Sequence, residues 1–162
     1  MKAIGKMQVT TPSDREIVIT REFTAPRVLV FDAYTKPELL KRWLLGPPGW
    51  TMPVCEVDLR VGGKYRYVWR SAEGAEMGMG GVHREVVPPE KIVCTQLFDQ
   101  DWTGGETLGT LVLTEQGNKT LVTNTILYPS REARDGAHCS GMEEGMSAGY
   151  DRLEELLTSL PS

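Results

Sequence analysis

The chain has 162 residues, 40% of them hydrophobic and 25% charged, and a formal net charge of −4. That length suits one domain with a real core, and the composition is globular rather than disordered. The acidic balance gives no basic footprint for nucleic acid, and no run of about 18 apolar residues could span a membrane. The opening, MKAIGKMQVTTPSDRE, lacks the apolar core of a secretory signal, so the expected location is cytoplasmic. Residues 1–15 read as a loose polar arm, with a short edge strand as the alternative, before a single domain over 16–160.

Ile17, Ile19, Arg21 and Phe23 alternate with Glu16, Val18, Thr20 and Glu22, which predicts a strand. Pro26 suits a first helical turn, where its missing N–H costs nothing. Val28, Phe31 and Tyr34 would form that helix's apolar stripe. Lys36-Pro37 ends it, and Pro37 opens a second helix through Leu39, Leu40, Trp43 and Leu44, stopping at Gly46-Pro47-Pro48-Gly49. The period then changes to two. Cys55, Val57, Leu59 and Val61 alternate with Glu56, Asp58 and Arg60. After the Gly62-Gly63 turn, Tyr65, Tyr67 and Trp69 alternate with Lys64, Arg66 and Arg70, which predicts a hairpin with an apolar face. Further strands are predicted over 77–87, closed by Pro88-Pro89, then 91–98, 107–114 and 120–128. The last two follow a loop with Trp102 and Gly104-Gly105 and a Gln116-Gly117-Asn118 turn. Seven strands at short spacing argue an antiparallel meander rather than a βαβ fold.

Pro129-Ser130 precedes a helical tract that starts near Arg131 or later and runs to Leu160. Met142, Met146, Tyr150, Leu153, Leu156, Leu157 and Leu160 fall on one arc of it, so a long amphipathic helix must bury that stripe against the sheet. Gly141, Gly145 and Gly149 recur along the stripe's edge. Glycine in a helix costs about 1 kcal/mol against alanine. The glycines read as plain helix packing, as close approach of the backbone to the sheet, or as space left for a ligand.

The order strand, two short helices, six strands, long helix is that of the helix-grip fold, an α+β architecture with a curved antiparallel sheet. REFTAPRVLVFDAYTKPELLKRW (21–43), VDLRVGGKYRY (57–67), GVHREVVPPEKIVCT (81–95) and GMEEGMSAGYDRLEELL (141–157) together resemble one family. It is the AHSA-like family, named for similarity to the activator of the heat-shock-protein-90 ATPase, within the START-like (SRPBCC) superfamily. The resemblance covers about residues 16–158. It implies a hydrophobic cavity between the sheet and the last helix. The chain departs from the family's last-helix motif at Met146, where tryptophan is common, and it has no counterpart of the second domain of the eukaryotic activators.

Three cysteines, Cys55, Cys94 and Cys139, are widely spaced without a CxxC pair, so they read as free thiols rather than a zinc or disulfide framework. The two histidines, His83 and His138, have no spaced partners that would make a metal site. His83 and Glu85 share a face of a regular strand and read as an exposed polar pair; lining a cavity instead, they could relay a proton. Glu56, Asp58 and Arg60 read as a solvated face. No GxSxG, phosphate loop or dinucleotide fingerprint is present, so no catalytic residue and no cofactor are assigned. Phe31, Trp43, Tyr65, Tyr67, Trp69, Met142, Met146, Tyr150 and Leu153 are expected to line an apolar pocket. The reading is a binding module for a small hydrophobic ligand, aromatic or lipid-like, acting as a monomer or homodimer. One alternative is a chaperone-associated protein of the stress response, as the resemblance implies. Another is a cyclase or hydrolase that uses the cavity as a reaction chamber.

Overall fold

The structure, a computed structural model, describes residues 7–45, 48–100, 105–140 and 142–160. The expectations for residues 1–6, Gly46-Pro47, Trp102, Gly104 and Gly141 lie outside the described residues.

The described residues form eight strands and four helices. In chain order these are β1 (Gln8–Thr10), β2 (Glu16–Phe23), α1 (Arg27–Thr35), α2 (Pro37–Trp43), β3 (Thr51–Val57), β4 (Lys64–Arg70), β5 (Glu76–Val87) and β6 (Lys91–Phe98). There follow β7 (Thr107–Gln116), β8 (Lys119–Leu127), α3 (Arg131–His138) and α4 (Met142–Ser159). One sheet runs β1-β2-β8-β7-β6-β5-β4-β3, and every neighbouring pair is antiparallel. From β3 to β8 each strand pairs with the next in the chain. Only β2, parted from β3 by two helices, crosses to the far side and pairs with β8.

The sequence predicts seven strands and a single C-terminal helix; the structure adds one of each. The added strand is β1, in which Val9 faces Ile19 of β2, so the described end of the arm is an edge strand. The added helix comes from a break after α3. The amides of Cys139 and Ser140 bond back to Asp135 and Ala137, and the Ser140 hydroxyl donates to the Ala137 carbonyl at 2.6 Å. The Cys139 bond is an ordinary helical one, but both bonds from Ser140 go to the Ala137 carbonyl, which a continuing helix would offer to the amide four residues on. At the other end of α3, Ser130 accepts from the Ala133 amide at 3.1 Å as an N-cap.

Two further expectations change. Val28 is 58% exposed, because α1 buries Val30, Phe31, Ala33 and Thr35 instead. Val28 and Val30 are two residues apart, about 200° on the helix, and cannot both face inward. The β3 strand stops at Val57; Leu59 still packs against the core beside Cys55 and Val57, but Val61 is 65% exposed. Residues 58–63 turn back through bonds from the Arg60 amide to Asp58 and from the Gly63 amide to Arg60. Asp58 and Arg60 pair with each other at 2.9 Å on this exposed loop.

The core lies between the sheet's inner face and α1, α2 and α4. Ile17, Ile19 and Phe23 of β2 and Val122 of β8 are fully buried in it. The lower stripe of α4, Tyr150, Leu153, Leu156 and Leu157, is buried against them. Tyr150 meets Phe23 edge-on at 5.5 Å and the Trp43 ring at 6.2 Å. Gly149 is the glycine of this helix in close contact. A Cβ there would stand 3.4 Å from the Trp43 carbonyl, so its close neighbour is α2 and not a strand. Gly145 has open space where its Cβ would be, which corrects the expectation that backbone meets the sheet there. Arg21, on the inner face of β2, is 6% exposed; its guanidinium pairs with Asp151 of α4 at 2.9 Å and lies over the Phe23 ring.

Candidate functional site

Between the upper part of α4 and the middle of the sheet the packing opens into a cavity of about 320 Å³. Its floor is built by strand alternation, which sends every second side chain inward. β4 contributes Tyr65, Tyr67 and Trp69; β5, Met79 and His83; β6, Ile92, Cys94, Gln96 and Phe98. Leu111 of β7 and Asn124 and Ile126 of β8 extend the floor, Met142 and Met146 form the roof, and Tyr34, Leu40 and Leu44 close one end. Flexible thioethers suit such a roof because they adapt to irregular space.

The polar groups of the wall are few, and several are tied to the protein. The Trp69 indole N–H donates to the Leu44 carbonyl at 2.7 Å, which latches β4 to the end of α2. The Tyr65 hydroxyl donates to the Thr95 carbonyl at 2.5 Å. It reaches across Gly81, its cross-strand neighbour, where a Cβ would run into that same carbonyl. Tyr34 and Tyr150 share a hydrogen bond at 3.4 Å, and Thr107 donates to Gln96 Oε1 at 3.1 Å. Burial raises the acidities' midpoints throughout: it pushes the Tyr65, Tyr67 and Cys94 groups up and takes Tyr128 up to about 12. The phenols and thiols of the cavity are therefore neutral at physiological pH.

His83 is 5% exposed and lines this cavity, not the solvent face that the sequence suggests. Its Nδ1 lies 3.2 Å from the Gly63 carbonyl, which can only accept, so Nδ1 donates there. Glu85 is turned outward and pairs with Lys91 at 3.4 Å. The two part company because the β5–β6 register shifts between His83, opposite Cys94, and Glu85, opposite Val93. One extra residue on β5, a bulge, reverses the alternation. The His–Glu proton relay is thus not assembled. Glu56 likewise stays on the exposed side.

Of the nine residues expected to line a pocket, Tyr65, Tyr67, Trp69, Met142 and Met146 line this one. Phe31, Trp43, Tyr150 and Leu153 instead fill the solid core beside it, with Trp43 packed between Tyr34 and Tyr150 and its indole N–H bonded to the Ala33 carbonyl at 2.9 Å. They share the helical stripes of the lining residues but sit where α1, α2 and β2 converge. His83, Cys94, Gln96 and Asn124 were not among the expected residues. The signal for the last three was present: they alternate with strand neighbours in phase with the buried Ile92 and Ile126. Among the described residues no group of three or more His, Cys, Asp and Glu is placed to hold a metal ion, and no helix is long and apolar enough to cross a membrane.

A curved antiparallel sheet that grips a C-terminal helix around an internal cavity defines the helix-grip class. Within it the chain belongs to the family described as activator of Hsp90 ATPase homolog 1-like protein, whose model matches residues 24–158. It is similar to a Rhodobacter sphaeroides protein of known crystal structure, at 33% identity and a TM-score of 0.90, over 95% of this chain and 99% of that one. A Staphylococcus epidermidis protein solved by NMR is 30% identical, with a TM-score of 0.80 over 96% of this chain and 97% of its own. An AHSA1-like protein from Aeromonas hydrophila, at 17% identity and a TM-score of 0.70 over 90% and 98%, shares the fold. No curated protein matches the chain.

Proposed function

We propose that this protein binds a small hydrophobic molecule in the cavity between its sheet and α4. The observation that carries this reading is the wall itself: largely aliphatic and aromatic, with sparse neutral polar groups and a polarisable methionine roof. That is the usual make-up of a small-molecule site, and the volume falls at the low end of the range of about 300–1,000 Å³ for such sites. The family's description also points to a chaperone ATPase as partner. The cavity favours the ligand reading, and the outward turn of Glu85 removes the paired acid and base that a hydrolase or cyclase reading relied on.

The test uses a neutral solvatochromic naphthalene dye. It is expected to bind the folded protein at one site with a blue-shifted emission. Met146→Trp places a larger side chain in the roof and is expected to abolish that site while leaving the circular dichroism and the urea transition cooperative. A wild type without dye binding, or a variant that binds as before, would refute the reading. Native mass spectrometry of freshly purified protein would identify a retained ligand.

A further inference from the structure

On the inner face of β7, between Thr107 and Leu111, stands a glycine, Gly109. Glycine weakens the interior of a strand and often marks the close approach of another group. Here that group is the side chain of Gln96 from β6. A Cβ on Gly109 would stand 2.7 Å from Gln96 Nε2 and 3.3 Å from its Cδ, so the amide lies over bare backbone. Both residues line the cavity.

The amide is held by one end. Thr107, 4% exposed, donates its hydroxyl to Gln96 Oε1 at 3.1 Å and reaches the backbone carbonyl of the same residue at 3.3 Å. Oε1 is thereby occupied, and Nε2 is the end left over Gly109. Nε2 carries two N–H donors and gives neither to an oxygen among the described residues. Gly109 faces Cys94 in the register, and a thiol sulfur is only a weak acceptor. Several hydroxyls of the wall are engaged within the protein instead: Thr35 donates to the Phe31 carbonyl, Tyr65 to that of Thr95, and Tyr34 bonds with Tyr150. A free hydroxyl can accept as well as donate, but an amide nitrogen only donates. Idle in a largely apolar space, it costs its lost hydration until something supplies an acceptor.

Resting on the ligand-binding reading above, we infer that Gln96 orients the occupant: its Nε2 donates, over Gly109, to the carbonyl oxygen of an otherwise apolar ketone, ester or amide. Thr107 is the positioning residue that presents the nitrogen end of the amide.

The experiment measures displacement of the neutral dye by 2-acetylnaphthalene and by 2-ethylnaphthalene, which have nearly the same shape and differ in the carbonyl. The readout is the ratio of their two dissociation constants in each variant, because a ketone gives up more hydration than a hydrocarbon whatever the site offers. Gln96→Leu is expected to weaken the ketone about two- to tenfold relative to the hydrocarbon, the worth of one hydrogen bond. Thr107 keeps its backbone acceptor in that variant, and a cooperative urea transition checks the fold. Gly109→Ala is expected to move the ratio in the same direction, since its methyl claims the place of the amide and a flexible side chain gives way at little cost to the fold. It also decides the matter alone if Gln96→Leu does not fold. A ratio that stays the same or rises in the folded variants, with both compounds still displacing the dye, would overturn the inference and leave the cavity reading standing. So would a dye that binds wild type while neither compound displaces it. A wild type that binds neither the dye nor either compound would sink both readings.

Discussion

Gly145 is the sharpest probe of how α4 sits over the sheet. It lies in the fourth position of the helix, and a Cβ built there meets no heavy atom within 4 Å outside its own helix. Alanine at such a site gains helix propensity, about 0.5–1 kcal/mol, part of it by restricting the unfolded chain. No steric term opposes the gain. For a chain of this size, 1 kcal/mol moves the midpoint by roughly 2–4 °C. Gly145→Ala is therefore expected to raise Tm by about 1–4 °C and to move the urea midpoint up at unchanged m-value, with dye binding unaltered. Gly149, one turn on, is the contrasting site, since its Cβ position is already 3.4 Å from the Trp43 carbonyl. Gly149→Leu must push α4 off α2, and overpacking of this kind costs about 1–3 kcal/mol. Urea and thermal denaturation of both variants decide the matter. A destabilised Gly145→Ala, or one with weakened dye binding, would mean that the helix is rotated from the placement described.

His83→Ala is expected to cost about 2 kcal/mol or more, because it empties a buried site and strands its partner carbonyl. A loss under about 0.5 kcal/mol in urea denaturation would contradict its burial. Iodoacetamide at pH about 8, read by peptide mass spectrometry, should label the exposed Cys139 first and the half-buried Cys55 and Cys94 slowly, since burial disfavours their thiolates. Equal labelling of all three in native protein would refute that. Burial takes Cys55 from 9.0 up to about 11 and Tyr128 from 10.0 up to about 12, so the folded state keeps protons that the unfolded chain gives up. Their contribution to stability is full below about pH 9 and is lost as pH rises to about 12. The urea midpoint should accordingly fall across that window, and a rise would show that other groups dominate.

Local pattern and turn chemistry were enough to read most elements from the chain itself. The period-two alternation of Ile17 to Phe23 and of Tyr65 to Trp69, the two prolines that open α1 and α2, and the Met–Leu stripe of α4 all depend on residues within a few positions of each other. Such signals survive in a one-dimensional reading because backbone geometry repeats them. Five residues of the cavity wall, Tyr65, Tyr67, Trp69, Met142 and Met146, followed from them. What failed depended on partners distant in sequence. Whether a stripe residue fills core or borders a void is settled by what stands opposite. Tyr150 and Leu153 meet Phe23 and α2, while Met142 and Met146, on the same stripe, meet space. The inward turn of His83 away from Glu85 depends on a register shift against β6, a property of two strands and not of one. The open space beside Gly145 and the contact at Gly149 depend on where the end of α2 is delivered. Periodicity specifies which face of an element is buried; only the assembled neighbours decide how tightly, and that difference makes the cavity.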